Sequence, residues 1–232
     1  MERHALAFRI KPGTQDQVRD LLSGYRAPAL EAEDGTRLLG TAVFLHGDLV
    51  VRVMEFEGEL GTVARHLSAD PVIQEVERGL IPHLTDSYDP ADAAQRREFF
   101  ARRLTERLAH RGSADEGKGA RHALLYPVKP GMADVAAGVL AAAEDPPLKA
   151  GSTTLCGTSV FRKGDVLVRV FEIDGDVAEL VAGLARAVEV HEVGRRMAGL
   201  FDGSYDFTTA AGLEKFFTDN LMTTVTDRRA GA

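Results

Sequence analysis

The sequence predicts an α+β protein built from one module used twice, and three observations predict it. Blocks of sequence recur at a nearly constant offset. In each copy a Gly-Asp pair separates two β-rich runs. After each of those hairpins, apolar residues recur at helical spacing.

The repeat is explicit. Arg3-His4-Ala5-Leu6 returns as Arg121-His122-Ala123-Leu124, and Lys11-Pro12-Gly13 as Lys129-Pro130-Gly131. Leu38–Glu59 lies over Leu155–Asp176 at a shift of 117 with 12 identities in 22 positions, far beyond chance. The same shift superposes Ser87-Tyr88-Asp89 on Ser204-Tyr205-Asp206 and Phe99-Phe100 on Phe216-Phe217. The segment from His110 to Ala120 carries three glycines and no apolar periodicity, the composition of a linker. The expected division is a first module over 1–110, a linker over 111–120 and a second module over 121–232.

Each module reads in the same order. His4–Ile10 is a short apolar strand that Pro12-Gly13 turns away. Val18, Leu21, Leu22 and Tyr25 give one amphipathic helix. Leu38–His46 and Leu49–Phe56 form a hairpin about Gly47-Asp48, matched by Gly164-Asp165. Leu60, Val63, Ala64 and Leu67 give a second helix, as do Val177, Leu180, Val181 and Leu184. Asp70-Pro71 opens a further helical piece carrying Val72, Val76 and Leu80. An extended piece through Ser87-Tyr88-Asp89 is expected to close the sheet, and a last helix to hold Phe100, Leu104 and Leu108. The order βαββαβ is that of a ferredoxin-like module. Two such modules in one chain predict an intramolecular dimeric α+β barrel, with sheets facing each other across a ligand cavity.

Composition narrows the function. Lys+Arg 28 against Asp+Glu 35 leaves a net charge of −7, unlike a general nucleic-acid binder. Tryptophan is absent, so the usual base-stacking platforms are few. One cysteine, Cys156, can form no internal disulfide. No apolar run of ~18 residues predicts a membrane span, and a cytoplasmic protein is expected. The histidines show no zinc spacing, and no glycine-rich phosphate loop is present, so neither metal nor organic cofactor is expected.

Along the return strand Leu49, Val51 and Val53 alternate with Val50, Arg52, Met54 and Phe56. The first face is uninterrupted and β-branched and is expected to lie under the helices, with Val168 and Val170 in the second copy. The second face would then line the cavity, with Arg169 and Phe171 in the second copy. Arg52 and Arg169 could hold a phenolate, enolate or carboxylate, or pair internally with Glu55 or another carboxylate. His4 and His122 head the first strand of each module and could act as general bases, or simply be solvated strand ends. Tyr88 and Tyr205 could donate to a substrate carbonyl or clamp a ring, or belong to a turn. His66 and His83 lack histidine counterparts and could mark one functional half, or be surface residues.

The His-Ala-Leu…Lys-Pro-Gly opening, the Gly-Thr-x-Val-Phe…Gly-Asp-x-x-Val-Arg-Val-x-Glu hairpin and the late Ser-Tyr-Asp resemble the SchA/CurD-like family. The resemblance covers residues 3–110 and 121–225. It implies a place in aromatic, spore-pigment-type polyketide biosynthesis and an aromatic polyketide as the small-molecule partner. Components of the polyketide synthase or its cyclases are further partners, and homodimerisation is left open. The fold also resembles antibiotic-biosynthesis monooxygenases and tetracenomycin-type aromatic cyclases. That implies a cofactor-independent monooxygenase with dioxygen as co-substrate. A polyketide cyclase and a non-catalytic accessory protein are the alternatives.

Overall fold

The computed structural model describes residues 1–25, 35–143 and 149–229. The first repeat runs β1 (Glu2–Arg9), α1 (Gln15–Gly24), β2 (Arg37–His46), β3 (Leu49–Glu57), α2 (Leu60–Ala69), α3 (Pro71–Leu80), α4 (Ala93–Ala101) and β4 (Glu106–Gly112). The second runs β5 (Ala120–Tyr126), α5 (Ala133–Ala141), β6 (Lys149–Ala150), β7 (Thr153–Lys163), β8 (Val166–Asp174), α6 (Val177–Leu184), α7 (Val188–Met197), α8 (Ala210–Asn220) and β9 (Thr223–Arg229). This is an α+β fold of one module repeated twice, each copy an antiparallel sheet with helices.

Local chemistry explains most of these elements. Gly47 and Gly164 take φ of 56° and 54°, the left-handed start that a tight two-residue hairpin requires. Asp70 caps α3 by accepting from the Val72 N–H at 2.8 Å, and Pro71 costs nothing at the first helical position. The α1 stripe buries Val18 and Leu22, and the α2 stripe buries Val63 and Leu67.

The closing strands differ from the expectation. The chain divides into a unit of Met1–Thr105 with Thr223–Ala232 and a unit of Glu106–Met222. The first unit's sheet has the order β1-β3-β2-β9 and the second's β4-β7-β8-β5, so each repeat ends in a strand that belongs to the other repeat's sheet. The expected boundary at 110 falls inside β4, and the turns that follow it span only 113–119. Leu108 lies on β4, not on a helix, because α4 stops at Ala101 and the Thr105 N–H donates to the Ala5 carbonyl at 3.0 Å. Ser87-Tyr88-Asp89 forms no strand. Near it the first sheet gains only the single bridge Ile10–Leu84, matched by Val128–Phe201.

The strand faces are also reversed. Val50, Met54 and Phe56 join the cluster that contains Val63, Ile73 and Val76 of the helices. Leu167, Phe171 and Ile173 do the same with Leu180 and Met197. Val51, Val53, Val168 and Val170 are fully buried, but on the face turned away from their own unit's helices. An uninterrupted β-branched face reports burial, not what covers it. Val53→Ala is therefore expected to cost about 1–3 kcal/mol despite the reversal. An unchanged unfolding midpoint in urea would contradict that burial.

Candidate functional site

Because the Arg52 face meets the helices, the cleft it lines lies inside the first unit. Its floor is Leu6 and Phe8 of β1, Val43 of β2, and Val50 and Arg52 of β3. Its roof comes from α3 (Ile73, Val76, Glu77, Leu80) and from Phe99, Phe100 and Arg103 at the end of α4, with Tyr88 at the side. Its free interior is about 50 Å3.

Its walls are apolar apart from four groups. Glu77 sits on the inward stripe of α3 with Ile73 and Val76 and is 7% exposed. Burial raises its carboxyl above the usual range, against the opposing effect of Arg96, the Tyr88 hydrogen bond and Arg52. Tyr88 donates to Glu77, and its own phenol is pushed up by burial and then by the Glu77 charge. Arg103 lies over the Phe99 ring at 3.3 Å and donates to the Phe99 carbonyl at 3.0 Å and to Asp86 at 3.2 Å. Burial pulls its pKa down. Arg52 donates to the Tyr25 hydroxyl at a long 3.4 Å, its guanidinium 6.0 Å from the centre of that ring.

Three buried polar atoms of this cleft have no hydrogen-bond partner among the described residues: Arg52 Nε, Glu77 Oε2 and Arg103 Nε. Native interiors rarely leave such atoms unanswered, each costing about 1–3 kcal/mol. All three belong to residues that line this one cleft.

The equivalent region of the second unit is filled instead. Arg169 is satisfied by the Tyr126 hydroxyl at 2.9 Å and Thr158 at 3.2 Å. The position of Glu77 is taken by Gly194, where an added Cβ would meet Phe207 at 2.6 Å. That of Arg103 is taken by Asn220, which donates to the Tyr205 hydroxyl at 3.1 Å and to the Phe216 carbonyl at 2.8 Å. Phe201, Phe207 and Phe216 pack against one another there, with ring centroids 5.1–5.6 Å apart. A smaller cleft remains, lined by Arg169 and Phe171.

Of the residues singled out from the sequence, the structure thus brings Arg52 and Tyr88 together in one cleft and Arg169 and Phe171 in the other. Met54 and Phe56 pack in the first unit's core, away from the cleft lining. His4 and His122 are half-buried and stack on Phe56 and Phe171, with centroids 5.3 and 5.5 Å apart. His66 ends α2. His83 ends a short helical turn over Ile81–His83 and accepts the Lys11 N–H through its carbonyl. Neither lines the cleft. Tyr205 bonds Asn220. Glu55 does not answer Arg52. It lies on the opposite face, paired with Arg3 at 2.7 Å and Arg229 at 3.3 Å.

Glu77 and Arg103 went unremarked in the sequence, yet Glu77 carries a readable signal. Ile73, Val76 and Leu80 make an i, i+3, i+7 stripe, and an acid at i+4 falls on it. No group of three or more His, Cys, Asp or Glu among the described residues could hold a metal ion. No helix among them is long and apolar enough to cross a membrane.

Fold and cleft together define an α+β protein of two repeated modules, with a cleft in the first unit lined by Arg52, Glu77 and Arg103. The chain belongs to the SchA/CurD-like family, whose domain matches it twice, over residues 1–113 and 120–230. It is 35% identical to "Polyketide synthase CurD" of Streptomyces cyaneus, a match covering 98% of this chain and 64% of that protein. It is 33% identical to the 42.8 kDa protein in the whiE locus of Streptomyces coelicolor, covering 98% and 59%. The chain thus spans about three fifths of the length of these curated relatives. Among solved structures, a candidate monooxygenase of Fusobacterium nucleatum superposes with a TM-score of 0.51 at 9% identity, covering 99% of this chain and 94% of that one. At that identity the likeness shows the fold alone.

Proposed function

We propose that the first unit's cleft binds an enolisable phenolic polyketide intermediate of anthrone type and oxidises it with dioxygen, the protein supplying no cofactor. The observation that carries this reading is the convergence of three unanswered buried polar atoms, two cationic and one acidic, inside apolar walls. Family membership supports the pathway.

In this reading the Glu77 carboxylate takes a proton from the ring methylene, the general-base task for which a raised carboxyl is suited. Arg52 holds the phenolate oxygen onto which the carbanion charge delocalises. The carbanion gives its electron pair to dioxygen, a C–O bond forms, and the peroxide takes up a proton. Loss of the second methylene proton then breaks the O–O bond. The methylene becomes a carbonyl, and the other oxygen atom leaves as water. Tyr88, hydrogen-bonded to Glu77, orients the base.

Dithranol, a dihydroxyanthrone, tests this directly with an oxygen electrode and quinone absorbance. One dioxygen consumed per quinone formed, at a rate well above the uncatalysed one, is expected. If the protein changes the products of a poly-β-ketone substrate under strict anaerobiosis and leaves dithranol oxidation unaccelerated, the cleft belongs to a cyclase. No effect in either assay would leave a binding role without turnover.

A further inference from the structure

The two repeats serve as each other's control, and at one position they differ in charge while sharing one structural duty. Arg103 uses Nη1 to hold the carbonyl of Phe99, four residues earlier, at 3.0 Å. Its counterpart Asn220 holds the carbonyl of Phe216, also four residues earlier, at 2.8 Å. A neutral amide therefore suffices for the helix end. The guanidinium is surplus to that duty. Arg103 is only 7% exposed, with Nε unpartnered among the described residues, in a cleft whose second-unit counterpart is smaller. The Asp86 pair leaves Nε unanswered, and a buried polar atom without a partner is costly.

The cleft's charges do not balance. Arg52 and Arg103 face the single acid Glu77, and the only carboxylate bonded to Arg103 among the described residues is Asp86, which is 75% exposed at the rim. Once Glu77 carries a proton taken from substrate, two cations remain. One of them is matched by the phenolate of the proposed reaction.

Resting on that reading of the cleft, we infer that its ligand carries a second, permanent anion, a carboxylate on the aromatic skeleton, and that Arg103 receives it. The substrate class is an aromatic or part-cyclised polyketide acid rather than a neutral polyphenol. Arg103 acts here in recognition, at a distance from the carbon that reacts. A guanidinium is suited to the task because its donors lie in one plane and match a carboxylate.

Two dyes of product type separate this inference from the one beneath it: danthron, a dihydroxyanthraquinone, and rhein, the same ring system with one carboxylic acid. Their dissociation constants are measured by calorimetry on the full chain. Rhein is expected to bind about 10- to 100-fold more tightly than danthron, the range of a charge-assisted hydrogen bond. Arg103→Asn, which copies the residue that the second repeat folds with, should bring the ratio to about one through loss of rhein affinity. Arg103→Met should do the same. Equal affinities in the unaltered protein, or a rhein preference that survives Arg103→Asn, would overturn the inference and leave the proposed function standing. Failure of both dyes to bind would overturn the aromatic cleft and this inference with it.

Discussion

Glu77→Gln is expected to lower turnover by about 10²- to 10⁴-fold, the usual contribution of a positioned general base. The fold should survive, because the amide keeps the volume of the side chain and can still accept from Tyr88. Stability should even rise at neutral pH, and the sign follows from linkage. Burial holds the folded-state carboxyl above its ordinary value, so between the two values the folded protein binds more protons than the unfolded chain. Stability therefore falls as pH rises through that window, and above it the native protein carries the cost of a buried charge. The glutamine variant lacks that cost. Its melting temperature should exceed the native one at neutral pH and converge with it below the ordinary carboxylate range. Activity moves the other way: the native rate should fall as pH drops through the raised value, and the residual rate of Glu77→Gln should not follow that titration. A pH–rate profile and thermal melts at acid and neutral pH check both.

The arginines should separate just as clearly. Arg52→Met is expected to cost about 10²- to 10³-fold in kcat/KM, the scale for losing one donor to a developing oxyanion. Its stability cost should be about 1 kcal/mol, since among the described residues its hydrogen bond is a long one to Tyr25. Arg169→Met should behave oppositely. It removes bonds at 2.9 and 3.2 Å and leaves the Tyr126 and Thr158 hydroxyls unanswered, a loss of about 1–3 kcal/mol. Turnover should stay intact, because the second unit has replaced the acid by Gly194 and the second cation by Asn220. Equal losses of turnover in both variants would contradict a functional role confined to the first unit.

What the sequence disclosed follows from what is local. The repeat, the Gly-Asp hairpins, the Asp70-Pro71 helix start and the stripes of α1 and α2 are set by spacing and turn chemistry, and each could be read directly. Strand parity also placed Arg52 among Val50, Met54 and Phe56. The same parity puts Glu55 on the other face, so alternation along β3 by itself argues against an Arg52–Glu55 pair. The side of the sheet that meets the helices was not legible, because both faces of β3 are buried. Nor was the placement of β4 and β9, since pairing with a distant strand of the other repeat, β7 for β4 and β2 for β9, leaves no local mark. Thr223-Thr224-Val225-Thr226 does read as β-branched strand, whereas the 100, 104, 108 spacing imitates a helix. Glu77 became visible only where repeat alignment meets helical phase: an acid on an apolar stripe, facing a glycine in the other copy.

The central claim is that Glu77 takes a carbon-bound proton from a ligand held in the first unit's cleft. Hydrogen–deuterium exchange at the ring methylene of dithranol, followed by proton NMR in D2O without oxygen, tests that step apart from any later chemistry. The protein should accelerate exchange well above buffer, Glu77→Gln should abolish the acceleration, and Arg169→Met should leave it unchanged. Exchange that the protein does not accelerate, or that proceeds equally fast in Glu77→Gln, would contradict the account.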